Sequence, residues 1–214
     1  MAILTQLEVI IYDADIQSVT GVIKKLGYPR SMIVIPNKDL LLVQYSDNLS
    51  YLYSWQNCER IYSIIGLSST TKKIKCSQNG TQILYADNLN IQMWDINKAC
   101  ISMFLNSVKN VNCYAIDEKG DEAYCGTYAG SVIVIKCTTS PNTTLKVPHV
   151  YYLQTFDQSV MGIEYLQKGL LIIVTMDCQV ALISSNERGI AVLEKFSVGS
   201  AMKTMNLVEI VRWK

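Results

Sequence analysis

The sequence predicts an all-β fold made of small, repeated sheets. Three observations carry that expectation. Residues 45–55 read YSDNLSYLYSW and residues 85–95 read YADNLNIQMWD, so a Tyr-x-Asp-Asn-Leu pentad returns after 40 residues. Repeats of about that length mark arrays of one supersecondary unit, each copy burying a face against the next. Nearly every apolar run is only four to eight residues long and is bounded by Asn, Asp, Ser or Lys, the pattern of strands and turns. No stretch longer than about ten residues keeps a clean 3.6-residue apolar period, so long helices are not expected.

Taken in order, the strands fall into groups of four. The first full group comprises SMIVIP (31–36), DLLLVQY (39–45), SYLYSW (50–55) and RIYSII (60–65). The second has KKIKCS (72–77), TQILYA (81–86), NIQMWDI (90–96) and ACISMF (99–104). The third has VNCYAI (111–116), EAYCGT (122–127), SVIVIKC (131–137) and, after the loop TTSPNTTLKVPH, VYYLQTF (150–156). That Pro- and Thr-bearing loop is expected to be the most mobile segment. The fourth has VMGIEYL (160–166), LLIIVTM (170–176), QVALISS (179–185) and AVLEKF (191–196).

Four antiparallel strands per 40 residues is the unit of a β-propeller blade. The expected organisation is therefore one domain over 1–214, with full blades at 31–65, 72–104, 111–156 and 160–196. Residues 7–26 read as the last two strands of a further blade, and residues 201–214 as its first two. Joined, they would close a ring of about five blades and remove its exposed edges. An open ring, or one completed by a partner chain, fits the same pattern.

Composition bounds the function. Half of the 214 residues are hydrophobic and 17% are charged, as in a packed globular protein. Thirteen Tyr against three Phe suit half-buried strands, where the ring packs and the hydroxyl reaches water. The net charge is +1 and the basic clusters are short (Lys24-Lys25, Lys72-Lys73, Lys75), so no basic stripe for nucleic acid is present. No apolar run approaches the roughly 18 residues of a membrane span. The N-terminal MAILTQLEVIIYDAD lacks a positive leader and is broken by Glu8 and Asp13, unlike a signal peptide. Seven irregularly spaced Cys, with no CxxC, read as free buried thiols of a reducing, cytosolic compartment.

Little in the chain points to catalysis. His149 is the only His, placed in the loop before a strand, so it alone would serve a Cys-His or Ser-His device or a metal site. A glycosidase of the small-propeller kind needs two acids facing across a cleft. Asp117-Glu118 and Asp121-Glu122 instead alternate with Lys119 and Gly120 as a hairpin tip. No GxxxxGK[ST], GxGxxG or HExxH occurs, and Ser68–Lys73 reads as a polar link between blades. No catalytic residue, cofactor site or metal site is expected.

Met93-Trp94-Asp95-Ile96 places a Trp-Asp dipeptide at the end of a third strand, with Asp87 in the turn before it. This resembles a WD40 repeat. The resemblance implies that turn aspartates at Asp47, Asp87 and Asp177, together with Trp94 and Asp95, anchor the blades. Tyr12-Asp13 and Ser54-Trp55 are degenerate dipeptides, Tyr128-Ala129-Gly130 lacks the turn Asp, and no Gly-His pair opens a repeat. Residues 120–137 and 159–184 also resemble the first propeller of a WD-repeat protein of cilia and flagella that lines axonemal doublet microtubules. They share a Gly-Thr-x-x-Gly hairpin, a long fourth-strand connection and a Lys-Gly-Leu-Leu turn. The chain is far shorter than that family's two-propeller pattern. These resemblances imply a non-catalytic scaffold for protein–protein interaction, with tubulin and axonemal proteins as partners in the narrower version. Adaptor subunits of a coat, ubiquitin-ligase or RNA-processing complex are the alternative, and a small glycosidase-like propeller is a remote one.

Overall fold

Nineteen β-strands and no helix make up the regular structure of the described residues. The computed structural model describes residues 1–24, 27–47, 49–64, 74–86, 90–106, 108, 110–139, 145–186 and 189–197. The expected site residue Asp87, the link 68–73 and the half-blade 201–214 lie outside the described residues.

The strands form five separate sheets in chain order. The first holds β1 (Ala2–Leu4), β2 (Glu8–Asp13) and β3 (Ser18–Lys24). The second holds β4 (Pro29–Ile35), β5 (Leu40–Tyr45), β6 (Ser50–Ser54) and β7 (Arg60–Ile64). The third holds β8 (Ile74–Cys76), β9 (Gln82–Ala86), β10 (Asn90–Asp95) and β11 (Cys100–Asn106). The fourth holds β12 (Val111–Ile116), β13 (Glu122–Thr127), β14 (Ser131–Thr139) and β15 (Lys146–Thr155). The fifth holds β16 (Val160–Gln167), β17 (Leu170–Thr175), β18 (Gln179–Asn186) and β19 (Gly189–Ser197). Each strand pairs antiparallel with the next along the chain, so every sheet is a simple meander.

Two features differ from the sequence expectation. The N-terminal sheet holds three strands rather than two, because Ala2, Ile3 and Leu4 pair with Ile11, Ile10 and Val9. Three apolar residues in a row are too short to show alternation. The loop after Cys137 is also shorter than expected. Thr138 and Thr139 pair with Val147 and Lys146, and His149 pairs with Lys136, so His149 lies in β15 and not in a loop. Pro148 is tolerated there because β15 is an edge strand, whose outward N–H positions need no ladder partner.

The sheets stack face to face in sequence order, and side-chain alternation drives this. On β5, Leu41, Val43 and Tyr45 join Val9, Ile11 and Ile23 of the first sheet. Leu42, between them, faces the other way with Ile35 and Leu52, against Ile83, Tyr85 and Trp94 of the third sheet. Leu84, Met93 and Met103 then meet Tyr114, Ile116 and Cys125 of the fourth sheet. Val132, Val134 and Tyr124 meet Val160, Ile163 and Ile173 of the fifth. Central strands covered on both faces need continuous apolar runs, which is why LLLV and IIV occur. Each buried Val, Leu or Ile contributes about 1.5–3 kcal/mol.

The first strand of each full sheet lies nearest a common axis. Lys75 Nζ on β8 donates to Glu164 Oε2 on β16 at 2.6 Å, and Asn112 Nδ2 on β12 donates to Val160 O at 2.9 Å. The meander gives the stack two distinct ends. The tip end carries the turns between first and second and between third and fourth strands. The link end carries the turns between second and third strands and the links from one sheet to the next.

Candidate interaction surface

The tip end is laced together by polar turns. Asn37 Nδ2 donates to Gln78 O at 2.8 Å, and Asn79 donates through its backbone N–H to Glu118 O at 3.1 Å and through Nδ2 to Lys119 O at 3.1 Å. Gln78 Nε2 reaches Leu166 O at 3.4 Å. Gly80 is required here: its φ is +68°, and a Cβ would sit 2.1 Å from Pro36 O in the second sheet. Successive sheets are thus stitched through backbone atoms.

The expected anchors occupy both ends. Trp94 is buried between the second and third sheets and stacks on Tyr62 at 6.3 Å between ring centroids. Asp95 caps the turn after β10 at the tip end: its Oδ1 accepts from Asn97 N at 2.9 Å and Lys98 N at 3.0 Å. Asp13 makes the same turn after β2, accepting from Asp15 N at 2.9 Å and Ile16 N at 3.4 Å. Such Asx turns close a hairpin with a side chain in place of a backbone acceptor. At the link end, Asp47 Oδ1 accepts from Leu49 N at 3.2 Å, and Asp177 accepts a hydrogen bond from the Thr175 hydroxyl. Each of these aspartates acts within its own sheet in the contacts described, and the four described anchors Asp47, Trp94, Asp95 and Asp177 do not converge on one point.

The Gly-Thr-x-x-Gly hairpin acquires a physical reading. Gly126 lies where a Cβ would be 2.4 Å from Val160 Cγ1 of the fifth sheet. Thr127 Oγ1 accepts from Ser131 N at 3.0 Å and closes the turn. Gly130, at φ +84°, donates no side chain into the space held by Phe156 O, and it accepts Phe156 N–H at 2.8 Å.

The link end differs in character. Leu7, Tyr28 and Met176 are 66%, 62% and 65% exposed, and Leu49, Tyr128 and Met161 are exposed as well. Leu49, Tyr128 and Met176 stand in or beside second-to-third-strand turns of three sheets. Leu7 lies in the β1–β2 turn beside Glu8, whose partner Lys24 leads into the link to β4, Tyr28 precedes β4, and Met161 opens β16. Exposed large side chains at the tip end (Met1, Ile16, Val19, Val34, Ile61, Leu145, Val147) sit mainly on outer turns, a terminus and the adjoining strand ends, with the inner turns themselves polar. Sequence reading missed this surface because it took these residues as strand ends or turn filler. The signal available was an apolar residue inside an otherwise polar turn.

The groups weighed for catalysis are engaged structurally. Asp117 Oδ1 accepts from Asp121 N at 2.8 Å and Glu122 N at 2.9 Å, while burial nonetheless raises its carboxyl above the usual range. Glu122 pairs with Lys136 at 2.9 Å and accepts from Tyr124 OH at 2.6 Å, and Asp121 pairs with Lys146 at 2.9 Å. These acids line an open hollow of about 470 Å³ beside Lys119 and Thr138, on one hairpin rather than across a cleft. The seven Cys are free thiols. Burial pushes Cys76 up to about 12 and Cys137 to about 11, and raises Cys125 also, so these thiols stay protonated at neutral pH. Among the described residues no group of His, Cys, Asp and Glu is placed to hold a metal ion.

No family model and no curated protein matches the chain. Among solved structures the chain is similar to Kluyveromyces lactis Hsv2, a yeast WD40 β-propeller protein, with a TM-score of 0.70 at 10% identity. The fold is a β-propeller. The alignment covers 92% of this chain and 59% of Hsv2, so the chain spans less than two thirds of that protein. At this identity the likeness speaks for the fold alone, and the five sheets are its blades.

Proposed function

We propose that the chain is a non-catalytic propeller scaffold that holds other proteins on its link end. The observation that carries this is the gathering of Leu7, Tyr28, Leu49, Tyr128, Met161 and Met176, all exposed, on turns and links of one end. Aromatic and Met side chains are the usual energetic anchors of protein interfaces. Rigid blades carry them, so little ordering entropy is lost on binding. Engagement of Asp117, Asp121 and Glu122 with backbone and Lys partners on one hairpin argues against a hydrolytic acid pair.

The test is affinity purification from native cells with a chain carrying Tyr28→Ser, Tyr128→Ser and Met176→Ser. Its partners should be lost, while a tip-end Ile16→Ser, Leu145→Ser chain of equal melting temperature keeps them. Equal recovery by both contradicts the reading, and so does glycoside hydrolysis by the purified chain.

The finer version is a cytoplasmic structural component of a microtubule-based assembly in a cilium or flagellum, with tubulin and axonemal proteins as neighbours. It rests on the resemblance of residues 120–137 and 159–184, which map to the adjacent fourth and fifth blades. A chain of net charge +1 has no long-range attraction to acidic tubulin, so shape fit and neighbouring proteins would hold it. Co-purification with detergent-extracted axonemes supports this version. Recovery only with a coat, ubiquitin-ligase or RNA-processing complex replaces it. The same scaffold reading has one further strand, from residues 201–214 or from a partner chain, completing the three-stranded first sheet along β1.

A further inference from the structure

The link ends of the fourth and fifth blades form one continuous patch. Ser159 Oγ donates to Tyr128 O at 2.6 Å, and Ser159 O accepts Met176 N–H at 2.8 Å, so the turn after β13, the link before β16 and the turn after β17 are bonded together. Asn112 Nδ2, 3.4 Å from Met161 Sδ, adds the start of β12. The exposed apolar side chains on this patch are Tyr128, Met161 and Met176. Its exposed charges are Asp157 and Asp177. The described residues 108, 110, 128–130, 156–159 and 176–178 include no Lys or Arg, and Lys109 lies outside the described residues. Elsewhere on the link end the charge is mixed, with Arg30 exposed and Lys24 paired to Glu8 at 3.5 Å.

We propose that the Tyr128–Met161–Met176 patch, flanked by Asp157 and Asp177, docks a partner segment that carries an apolar anchor between Lys or Arg residues. This rests on the scaffold reading above and narrows it to one sector and one charge type. Met side chains adapt to the shape of the anchor, and the Tyr128 ring supplies rigid area with a polar tip. The two carboxylates select sign: they attract a basic flank and repel an acidic one, which sets both partner choice and association rate.

The test uses the whole chain and three synthetic peptides with the same Leu-Trp-Leu centre, flanked by Lys/Arg, by Gln or by Glu, titrated up to about 1 mM by fluorescence anisotropy. The Lys/Arg peptide should bind at least tenfold tighter than the Glu peptide, and more weakly as salt rises. Asp157→Lys with Asp177→Lys should reverse the order, and Tyr128→Ser with Met176→Ser should weaken all three while the melting temperature holds. Equal affinity for the three peptides, no binding of any, or an order unchanged in the Lys variant overturns the inference. If the native partners are nonetheless lost from the link-end variant, the scaffold reading stands without it.

Discussion

Lys75 and Glu164 lie 2.6 Å apart, nitrogen to oxygen, although 89 residues and a whole blade separate them in sequence. The contact passes over the fourth blade and joins the innermost strands of the third and fifth. It is possible only because the blades turn about a common axis. Both side chains are about one-third exposed, so its free energy is modest. A double-mutant cycle of Lys75→Met and Glu164→Gln should give a coupling of about 0.2–1 kcal/mol, shrinking as salt rises. No coupling at low ionic strength contradicts the contact.

Trp94→Ala should cost about 3–5 kcal/mol in chemical denaturation, because the indole fills the space between the second and third blades against Tyr62. Tyr62→Ala in the same background should be less than additive. A variant as stable as the parent contradicts the assigned packing.

Backbone sign sets opposite outcomes at two turns. Gly130→Ala should destabilise, since φ is +84° and the new Cβ would meet Phe156 O at 2.2 Å. Ala99→Gly should stabilise by about 0.5–1 kcal/mol, since Ala99 is held at φ +52°. Thermal melts of the two variants should move in opposite directions.

Asp117 gives a pH signature. Its carboxyl titrates higher in the folded chain than in the unfolded one, through burial. Its contribution to stability is therefore full below the ordinary Asp value of about 3.9 and is lost as pH rises through the folded value. Asp117→Asn keeps an oxygen to accept the Asp121 and Glu122 N–H groups and removes that loss. The variant should gain stability relative to the parent as pH rises from about 4 to 7, measured by urea midpoints. A constant difference across that range counts against it.

Thiol accessibility separates buried from half-buried Cys. Cys113, Cys125 and Cys137 are buried, and Cys58, Cys76, Cys100 and Cys178 are half-buried. Maleimide labelling of the native reduced chain, read by mass spectrometry, should spare the first three and reach all seven in denaturant. Rapid native labelling of Cys125 contradicts the core of the third and fourth blades.

The fold was legible because burial on both faces writes itself as short apolar runs, and the turn Asn and Asp residues separate them. Tyr45 and Tyr85, the paired residues of the pentad, are both 1% exposed and both face the preceding blade. The repeat is nevertheless not a register copy: Leu84 pairs with Met93, whereas its counterpart Gln44 pairs with Ser50. Gln17, Cys58 and Ala99 adopt positive φ in the turns leading into the last strand of three successive sheets without a Gly to announce it. The link-end surface was hidden for another reason. Leu49 and Met176 look the same in sequence as the nearby core residues Leu52 and Val174, and only the path of the turn decides that they face water. Asp13 shows the reverse, since the degenerate Tyr12-Asp13 closes its turn as Asp95 does.

Zero-length carbodiimide cross-linking followed by peptide mass spectrometry tests the propeller arrangement most directly. Folded chain should yield a Lys75–Glu164 isopeptide alongside the within-blade Lys136–Glu122 and Lys146–Asp121 products, and denatured chain should yield none of the three. Recovery of both within-blade products without the Lys75–Glu164 link would show that the sheets form but do not turn about one axis.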